Sequence, residues 1–332
     1  MFATQNFNFS AGNYATKILS VSNVNQIEVS PDFLLIDEEV SKIFKGQLPS
    51  SPNTMVIPGG EQSKTAEMLN KIWQQMADAQ LRRDSLVVII GGGTVCDIGA
   101  FAASTWKRGA RLTLIPTTLL CMVDASLGGK TAINVSGSKN QAGTVYPASE
   151  IIVCTEFLKT LPKKEMLNGL AEALKTAVIG NRKIVDYLLN KDYQKAVAAC
   201  LEVKGNIVVQ DLNENGQRRL LNLGHTIAHC IEAASLFSID HGIAVAKGIP
   251  VEARMQGNIV FAEQFSEIAG RLGLDTTIPP SISLQDISVH LDSDKKTTKV
   301  GRIWIIPKDW EKCNQLLLTS EEEKELLEKA WL

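Results

Sequence analysis

The stretch LVVIIGGGTVCDIGAFAASTWKRGARLTLIPTTLLCMVDASLGGKTAINVSGSKN, residues 86–140, decides how the rest of the chain is read. Leu86 to Ile90 are apolar and rich in β-branched types, the composition of a strand buried on both faces. Gly91, Gly92 and Gly93 follow, and Thr94 to Thr105 carry small and apolar side chains at helical spacing. Strand, glycine turn and helix make the first half of a nucleotide-binding unit. Glycine lets the backbone approach a pyrophosphate, and a helix start offers it unpaired N–H groups. By itself the turn fits a plain strand-to-helix connection equally well, because G-x-G-x-x-G would put glycine at position 96 and the chain has Cys96.

The residues that follow favour an anion. Arg111 to Ile115 reads as a second strand, ended by Pro116, with two hydroxyls at Thr117 and Thr118. Asp124, Lys130, Lys139 and Asn140 then crowd into a segment of Gly, Ser and small apolar residues. Lysines beside Gly128-Gly129 and after Ser136-Gly137-Ser138 sit where the backbone can bend tightly around a polyanionic ligand.

Upstream, Phe33 to Ile36 is a short apolar run ended by Asp37. An acid there can accept hydrogen bonds from ribose hydroxyls or simply begin a solvated turn. Thr54 to Ile57 reads as the next strand, followed by the loop PGGEQSK (58–64) and an amphipathic helix from Thr65 to Ala79. Residues 1–30 alternate weakly, as edge strands do. Downstream, Ile151 to Cys154 makes a further strand and Leu161-Pro162 closes this half. Helical spacing then covers 163–179, 182–190, 192–211, 217–236, 241–256 and 259–272, with short strands at 302–306 and 315–318 and a charged helix at 320–329. Strands alternating with helices, then a run of helices, specify an α/β plus α protein: an α/β nucleotide-binding domain over 1–160 and a mostly helical domain over 161–332.

The chain has 332 residues, enough for two domains with cores of their own, with 45 % hydrophobic and 21 % charged residues. A net charge of -2 gives no reason to expect nucleic acid or an anionic membrane as partner, so attraction for an anionic substrate must come from local lysines. The six cysteines are irregularly spaced, without a C-x-x-C pair, and the opening MFATQNFNFSAG lacks the basic and apolar regions of a secretory signal. Reduced thiols in the cytoplasm are expected.

Three of the four histidines lie between 225 and 241. His225 and His229 are four apart, which places both on one helix face, and His241 opens the next helical segment. Glu172 lies beside the apolar stripe of its helix, with Lys175 a turn further on. Zinc accepts imidazole nitrogen and carboxylate oxygen, and a catalytic site uses three such ligands. On the residues alone, H-x-x-x-H fits a metal site and a pair of structural helix-face histidines alike.

The runs GGGTVCD, PTTLL, VDASLGGKTAIN and SKN, then GLAEALK, LNLGHTIAH, HG and a late DKK, resemble the 3-dehydroquinate synthase branch of the sugar-phosphate cyclase family. The likeness runs from the loop at Gly59 to Lys296. It implies NAD and a divalent metal (zinc, with cobalt as the alternative), a sugar phosphate substrate and a homodimer. It also implies conversion of 3-deoxy-D-arabino-heptulosonate 7-phosphate to 3-dehydroquinate and phosphate, by transient oxidation, elimination, reduction and aldol closure. Residue by residue, Glu172, His225 and His241 match the metal ligands. Lys130, Asn140, His229 and one of Lys295 and Lys296 match the phosphate pocket, with Arg108 reaching across a dimer interface. Lys204 and Arg218 match the partners of the substrate carboxylate, and Asp124, Lys175 and Asn222 surround the reacting hydroxyls. On the cofactor side stand Asp37, the loop residues Gly60, Glu61 and Lys64, and the turn residues Gly92, Gly93, Thr94 and Asp97. Thr117, Thr118, Lys139 and Thr160 complete that set, together with Lys130.

Two positions depart from the family pattern: Cys96 in the glycine turn, and Ile243 after His241-Gly242, where the family has an acid. Two rival readings remain. Metal-dependent NAD alcohol dehydrogenases of the glycerol dehydrogenase type share the architecture but need no phosphate pocket. Cyclases acting on sedoheptulose 7-phosphate or glucose 6-phosphate have no substrate carboxylate to match Lys204, Arg218 and Asn222.

Overall fold

The computed structural model describes residues 6–11, 14–293 and 301–331. Lys295 and Lys296 therefore lie outside the described residues. The chain divides into two compact units, one of Met1–Pro162 with Lys204–Asn213, the other of Lys163–Val203 with Glu214–Leu332.

The first unit opens with β1 (Asn6–Ala11), β2 (Tyr14–Val21), β3 (Phe33–Asp37), α1 (Glu38–Ile43), β4 (Thr54–Ile57) and α2 (Ala66–Asp78). It continues with β5 (Leu86–Gly91), α3 (Gly93–Thr105), β6 (Arg111–Pro116), β7 (Lys130–Val135), β8 (Ser138–Val145) and β9 (Glu150–Cys154). Seven strands form one sheet in the order β1-β2-β9-β6-β5-β3-β4, parallel except for the β1–β2 pair. Of the weakly alternating N-terminal residues, only β1 is an edge; β2 lies inside, paired with β9. The side chains of Val87, Val88, Ile89 and Ile90 are fully buried, as a central parallel strand requires. From β3 the chain turns to one side, toward β4, and from β5 it turns to the other, toward β6. The C-terminal ends of β3 and β5, Asp37 and Gly91, therefore flank a topological switch point, where open α/β sheets bind ligands.

The missing glycine at 96 is made good elsewhere. A Cβ on Gly99 would come within 2.6 Å of Ile89 Cδ1 and 2.7 Å of Leu35 Cδ2, so the close helix-to-sheet approach falls at Gly99. The thiol of buried Cys96 meets the Gly91 carbonyl at 3.5 Å. The segment after β6 differs more from the sequence reading. Residues 130–145 form a hairpin, and its bend uses Ser136 (φ 51°) and Gly137 (φ 77°), the left-handed pair of a two-residue hairpin turn. That bend reverses the strand.

The second unit contains α4 (Lys163–Gly180), α5 (Lys183–Leu189) and the first part of α6 (Tyr193–Gln210), whose last turns from Lys204 belong to the first unit. There follow α7 (His225–Ala234), α8 (His241–Arg254), α9 (Ile259–Arg271), α10 (Leu284–Ser293), the hairpin of β10 (Arg302–Asp309) and β11 (Lys312–Leu318), and α11 (Ser320–Ala330). The helix expected over 217–236 is two pieces, a 3₁₀ helix at Gln217–Asn222 and then α7. They meet at Gly224 (φ 78°), which lies under α8 so tightly that a Cβ would stand 2.7 Å from Ile249 Cγ1 and 2.9 Å from Val245 O. Helix α10 carried a signal that helical periodicity did not register. Ser283 Oγ accepts from Asp286 N at 3.2 Å and Asp286 Oδ2 accepts from Ser283 N at 2.8 Å, a reciprocal cap of the S-x-x-D type. Among the described residues no helix is long and apolar enough to cross a membrane.

A buried polar knot ties the late hairpin to α11. Glu323 Oε1 accepts from Trp304 Nε1 at 2.7 Å and Arg302 Nε at 3.0 Å, and Arg302 Nη2 donates to Leu291 O at 2.5 Å. Trp304 is fully buried, so its indole N–H depends on this carboxylate. Removing one partner of a buried charged pair costs on the order of 3–5 kcal/mol. Glu323→Ala should therefore lower the urea midpoint substantially, whereas Lys329→Ala, in an exposed pair with Glu325, should leave it nearly unchanged.

Candidate active site

In the first unit the cofactor candidates gather at the switch point. Gly92 precedes α3 without a side-chain cap, leaving the first N–H groups of that helix for a ligand. Thr118 packs over the turn, its Cγ2 2.9 Å from where a Cβ on Gly92 would stand. Buried Thr117 donates its N–H to Gly91 O at 2.9 Å. Gly93 and Thr94 lie in the first turn of α3, half-buried. Asp37 does end β3, but its Oδ1 accepts from Glu39 N at 2.9 Å and Val40 N at 3.2 Å, so it caps α1. Burial raises its carboxyl pKa, against these two backbone bonds.

The loop after β4 is tied to the hairpin. Gly60 has φ 92°, Glu61 Oε1 accepts from Asn134 Nδ2 at 2.8 Å, and Asn134 N donates to Lys64 O at 2.8 Å. Lys64 is only 2 % exposed, although lysine is rarely buried without partners. Its ammonium donates to Asp97 Oδ2 at 2.7 Å and to Asn140 Oδ1. Burial raises the Asp97 pKa, and Lys64 opposes that rise. Asn140, assigned from sequence to the phosphate pocket, and Asp97 and Lys64, assigned to the cofactor, are thus parts of one hydrogen-bonded group. Lys204 Nζ donates to both the carbonyl and Oδ1 of Asp124, each at 2.6 Å. Lys130 begins β7 and Lys139 lies on β8, both exposed, and Arg108 is exposed in a left-handed turn with φ 66°. Thr160 differs from the others: its hydroxyl donates to Phe157 O at 3.2 Å, closing its own 3₁₀ turn.

In the second unit Glu172 of α4, His225 of α7 and His241 of α8 bring three ligand atoms within 4.8 Å of one another. Gly242 explains the approach of α8. A Cβ there would overlap Asn168 O, one turn before Glu172, so only glycine lets His241 reach that position. Glu172 is 1 % exposed, and neither of its oxygens has a hydrogen-bond donor among the described residues, although Lys175 Nζ pairs with Oε2 at 2.5 Å. Burial opposes its ionisation, yet Lys175, His241 and His225 outweigh burial and hold the carboxyl well below the usual range.

Both imidazoles aim Nε2 at that carboxylate, His225 at 3.9 Å and His241 at 3.5 Å. His225 Nδ1 donates to Leu223 O at 3.1 Å, which leaves the Nε2 lone pair for a cation. Burial, and then Lys175, push the His225 pKa well below the usual imidazole value, so the ring is neutral. His241 Nδ1 donates to Glu232 Oε2 at 3.1 Å. Burial would lower the His241 pKa, but Glu172 and Glu232 hold it up at about 9, so a cation would displace a proton there. A buried carboxylate without a hydrogen-bond donor and two oriented imidazoles fit a divalent metal with three protein ligands.

His229 stands exposed one turn along α7, its ring centroid 5.7 Å from that of His225 and 6.1 Å from that of His241. Arg218 is 2 % exposed in the 3₁₀ helix that ends at Asn222, and Asn222 Nδ2 donates to Glu214 Oε1. Sequence reasoning did not find Glu232 or Glu214. The support that an acid at position 243 would offer His241 comes instead from Glu232, which lies two helical turns after His225 and three residues after His229.

Two family models cover most of the chain: 3-dehydroquinate synthase N-terminal over residues 54–168, and 3-dehydroquinate synthase C-terminal over residues 169–297. The chain is 39 % identical over 275 residues to a 3-dehydroquinate synthase of Pyrococcus furiosus, covering 79 % of this chain and 80 % of that one. It is 36 % identical over 313 residues to the 3-dehydroquinate synthase of Pyrococcus abyssi, covering 91 % and 92 %. The fold is similar to that of 2-epi-5-epi-valiolone synthase from Streptomyces hygroscopicus, solved with NAD+ and Zn2+, with a TM-score of 0.86 at 22 % identity over 97 % of this chain and 98 % of that one. With both models matched, and identities of 39 % and 36 % to these two relatives over most of the chain, the chain belongs to the 3-dehydroquinate synthase family.

Proposed function

We propose that this chain is a carbon–oxygen lyase that converts 3-deoxy-D-arabino-heptulosonate 7-phosphate to 3-dehydroquinate and phosphate, using NAD and a divalent metal. The observation that carries the reading is the convergence of Glu172, His225 and His241 in a chain of this family. When bound, NAD supplies a reversible hydride acceptor and zinc or cobalt supplies a Lewis acid that lowers the pKa of a substrate hydroxyl. Glu172, His225 and His241 would hold the metal. The uncapped start of α3 at Gly92 to Thr94 would meet the pyrophosphate.

The remaining roles belong to the chain's own side chains. Lys175, held against Glu172, keeps a proton available beside the reacting hydroxyls, with Asp124 and Asn222 orienting them. Lys130, Asn140 and His229 bind phosphate, with Lys295 or Lys296, and Lys204 and Arg218 bind the carboxylate. The buried pairing of Lys64 with Asp97 supports a structural task for Lys64, that of fixing Asn140. A homodimer to which exposed Arg108 contributes, and a cytoplasmic location, complete the proposal. Six cysteines without disulfides are consistent with the latter.

Purified protein given NAD, zinc and the heptulosonate phosphate should release phosphate and carbocycle in equal amounts, without growth of the NADH absorbance. Stoichiometric NADH would favour the glycerol dehydrogenase reading instead. His225→Ala should lose most of its metal, measured by elemental analysis after dialysis, together with turnover, while its circular dichroism is unchanged. A zinc-free variant with full activity would refute the ligand assignment.

Arg218 separates this substrate from those of the other cyclases. A guanidinium grips a carboxylate with two parallel hydrogen bonds, which an ammonium cannot reproduce. Arg218→Lys should reduce kcat/KM by about ten- to a hundredfold, the worth of a charged hydrogen bond, and leave metal content and NAD affinity unchanged. Faster wild-type turnover of sedoheptulose 7-phosphate, which has no carboxylate, would remove the assignment.

A further inference from the structure

Glu252 lies in the last turn of α8, three turns after His241, and is 0 % exposed, a carboxylate that none of the steps above uses. Its Oε2 accepts the backbone N–H of Gly224 at 2.6 Å, a short, charge-assisted bond. Gly224 is the left-handed residue at which the 3₁₀ helix carrying Arg218 and Asn222 stops and α7, beginning with His225, starts. Two further contacts hold the same joint. A Cβ on Gly248 would overlap Gly224 O, and a Cβ on Gly224 would stand 2.9 Å from Val245 O. Helix α8 itself begins at His241. One helix thus carries a metal ligand at its start and, further along, grips the peptide immediately before another metal ligand.

We propose that Glu252 is a positioning residue: its bond to the Gly224 amide sets the placement of His225 against His241 and of Asn222 against both. The physical reason is the geometry of the joint. A left-handed residue between two helices is a pivot, and N–H groups at the start of α7 have no partner within the helix. With Gly224 N tied to a buried carboxylate, the pivot has one orientation. Without that bond, His225 and Asn222 lie on either side of a hinge.

The inference presupposes the metal centre proposed above, and cobalt alone serves as the probe. Glu252→Ala removes the acceptor, Glu252→Asp keeps the charge but is one methylene too short, and Glu252→Gln keeps an acceptor at the right reach. The Ala and Asp variants should bind cobalt about ten- to a hundredfold more weakly in competition with a chelator, as loss of an outer-shell partner does. Their Gly224 amide should exchange with deuterium faster than in wild type. The Gln variant should recover most of the affinity. At saturating cobalt the Ala and Asp variants should keep a raised KM while kcat recovers, because Asn222 and Arg218 stay loosened. Glu323→Ala, which removes a buried carboxylate elsewhere in this unit, is the control for mere destabilisation and should bind cobalt as wild type does. Wild-type affinity in the Ala and Asp variants, equal losses in Gln and Ala, or an equal loss in Glu323→Ala would each overturn the proposal. If the wild-type chain takes up no cobalt at all, the metal reading falls first. Should the Ala variant fail to fold, the contrast between Asp and Gln still decides.

Discussion

A carboxylate taken fully out of water is the constraint from which the cluster of Glu172, His225 and His241 follows. Glu172 sits on α4 with 1 % exposure, and a charge in that position persists only where other charges compensate its lost hydration. Lys175 supplies part of that compensation from the same helix, and His241 supplies more from α8. Neither carboxylate oxygen is hydrogen-bonded among the described residues, so the cluster fits a divalent metal. His225 is held by a carbonyl and His241 by Glu232, so both rings present Nε2 without needing to reorient.

Such convergence needs backbones closer than side chains allow, and glycine provides this where α8 meets α4 and α7. Gly242 brings α8 against α4 at Asn168, and Gly224 with Gly248 bring α7 against α8. The Gly224 joint matters most, because its left-handed conformation breaks what would otherwise be one helix into a segment with Arg218 and Asn222 and a segment with His225 and His229. In the first unit Gly99 does the equivalent for α3 over β5, which frees position 96 to hold a cysteine.

The first unit solves a different problem, that of gathering positive charge without leaving it loose. Lys64 is buried and fully occupied by Asp97 and Asn140, and Lys204 is bound twice by Asp124, whereas Lys130 and Lys139 are exposed on the hairpin. The buried lysines therefore shape the loops, whereas the side chains of the exposed ones reach solvent. Sequence gave no way to tell these two kinds apart, because the burial of a lysine is decided by residues that come close only after folding. Lys64 and Asn140 are 76 positions apart, and Lys204 and Asp124 are 80 apart.

What the sequence by itself determined follows from short-range physics. Apolar runs and period-3.6 spacing located most strands and most helices, glycine and proline marked the turns, and the H-x-x-x-H spacing put two imidazoles on one helix face. The motif residues carried the family, and with it the three ligands that the fold brings within 4.8 Å. Tertiary structure alone decided where the break at Gly224 sits, since α8 approaches the glycine too closely for any side chain and Glu252 takes its N–H. It also decided the partners of each ionisable side chain: Glu232 for His241 in place of an acid at 243, Glu252 for the Gly224 amide, and Asp37 as a helix cap. A hydrogen bond between residues far apart in the chain leaves no periodic trace in the sequence, because it depends on where two backbones cross, and packing sets that crossing.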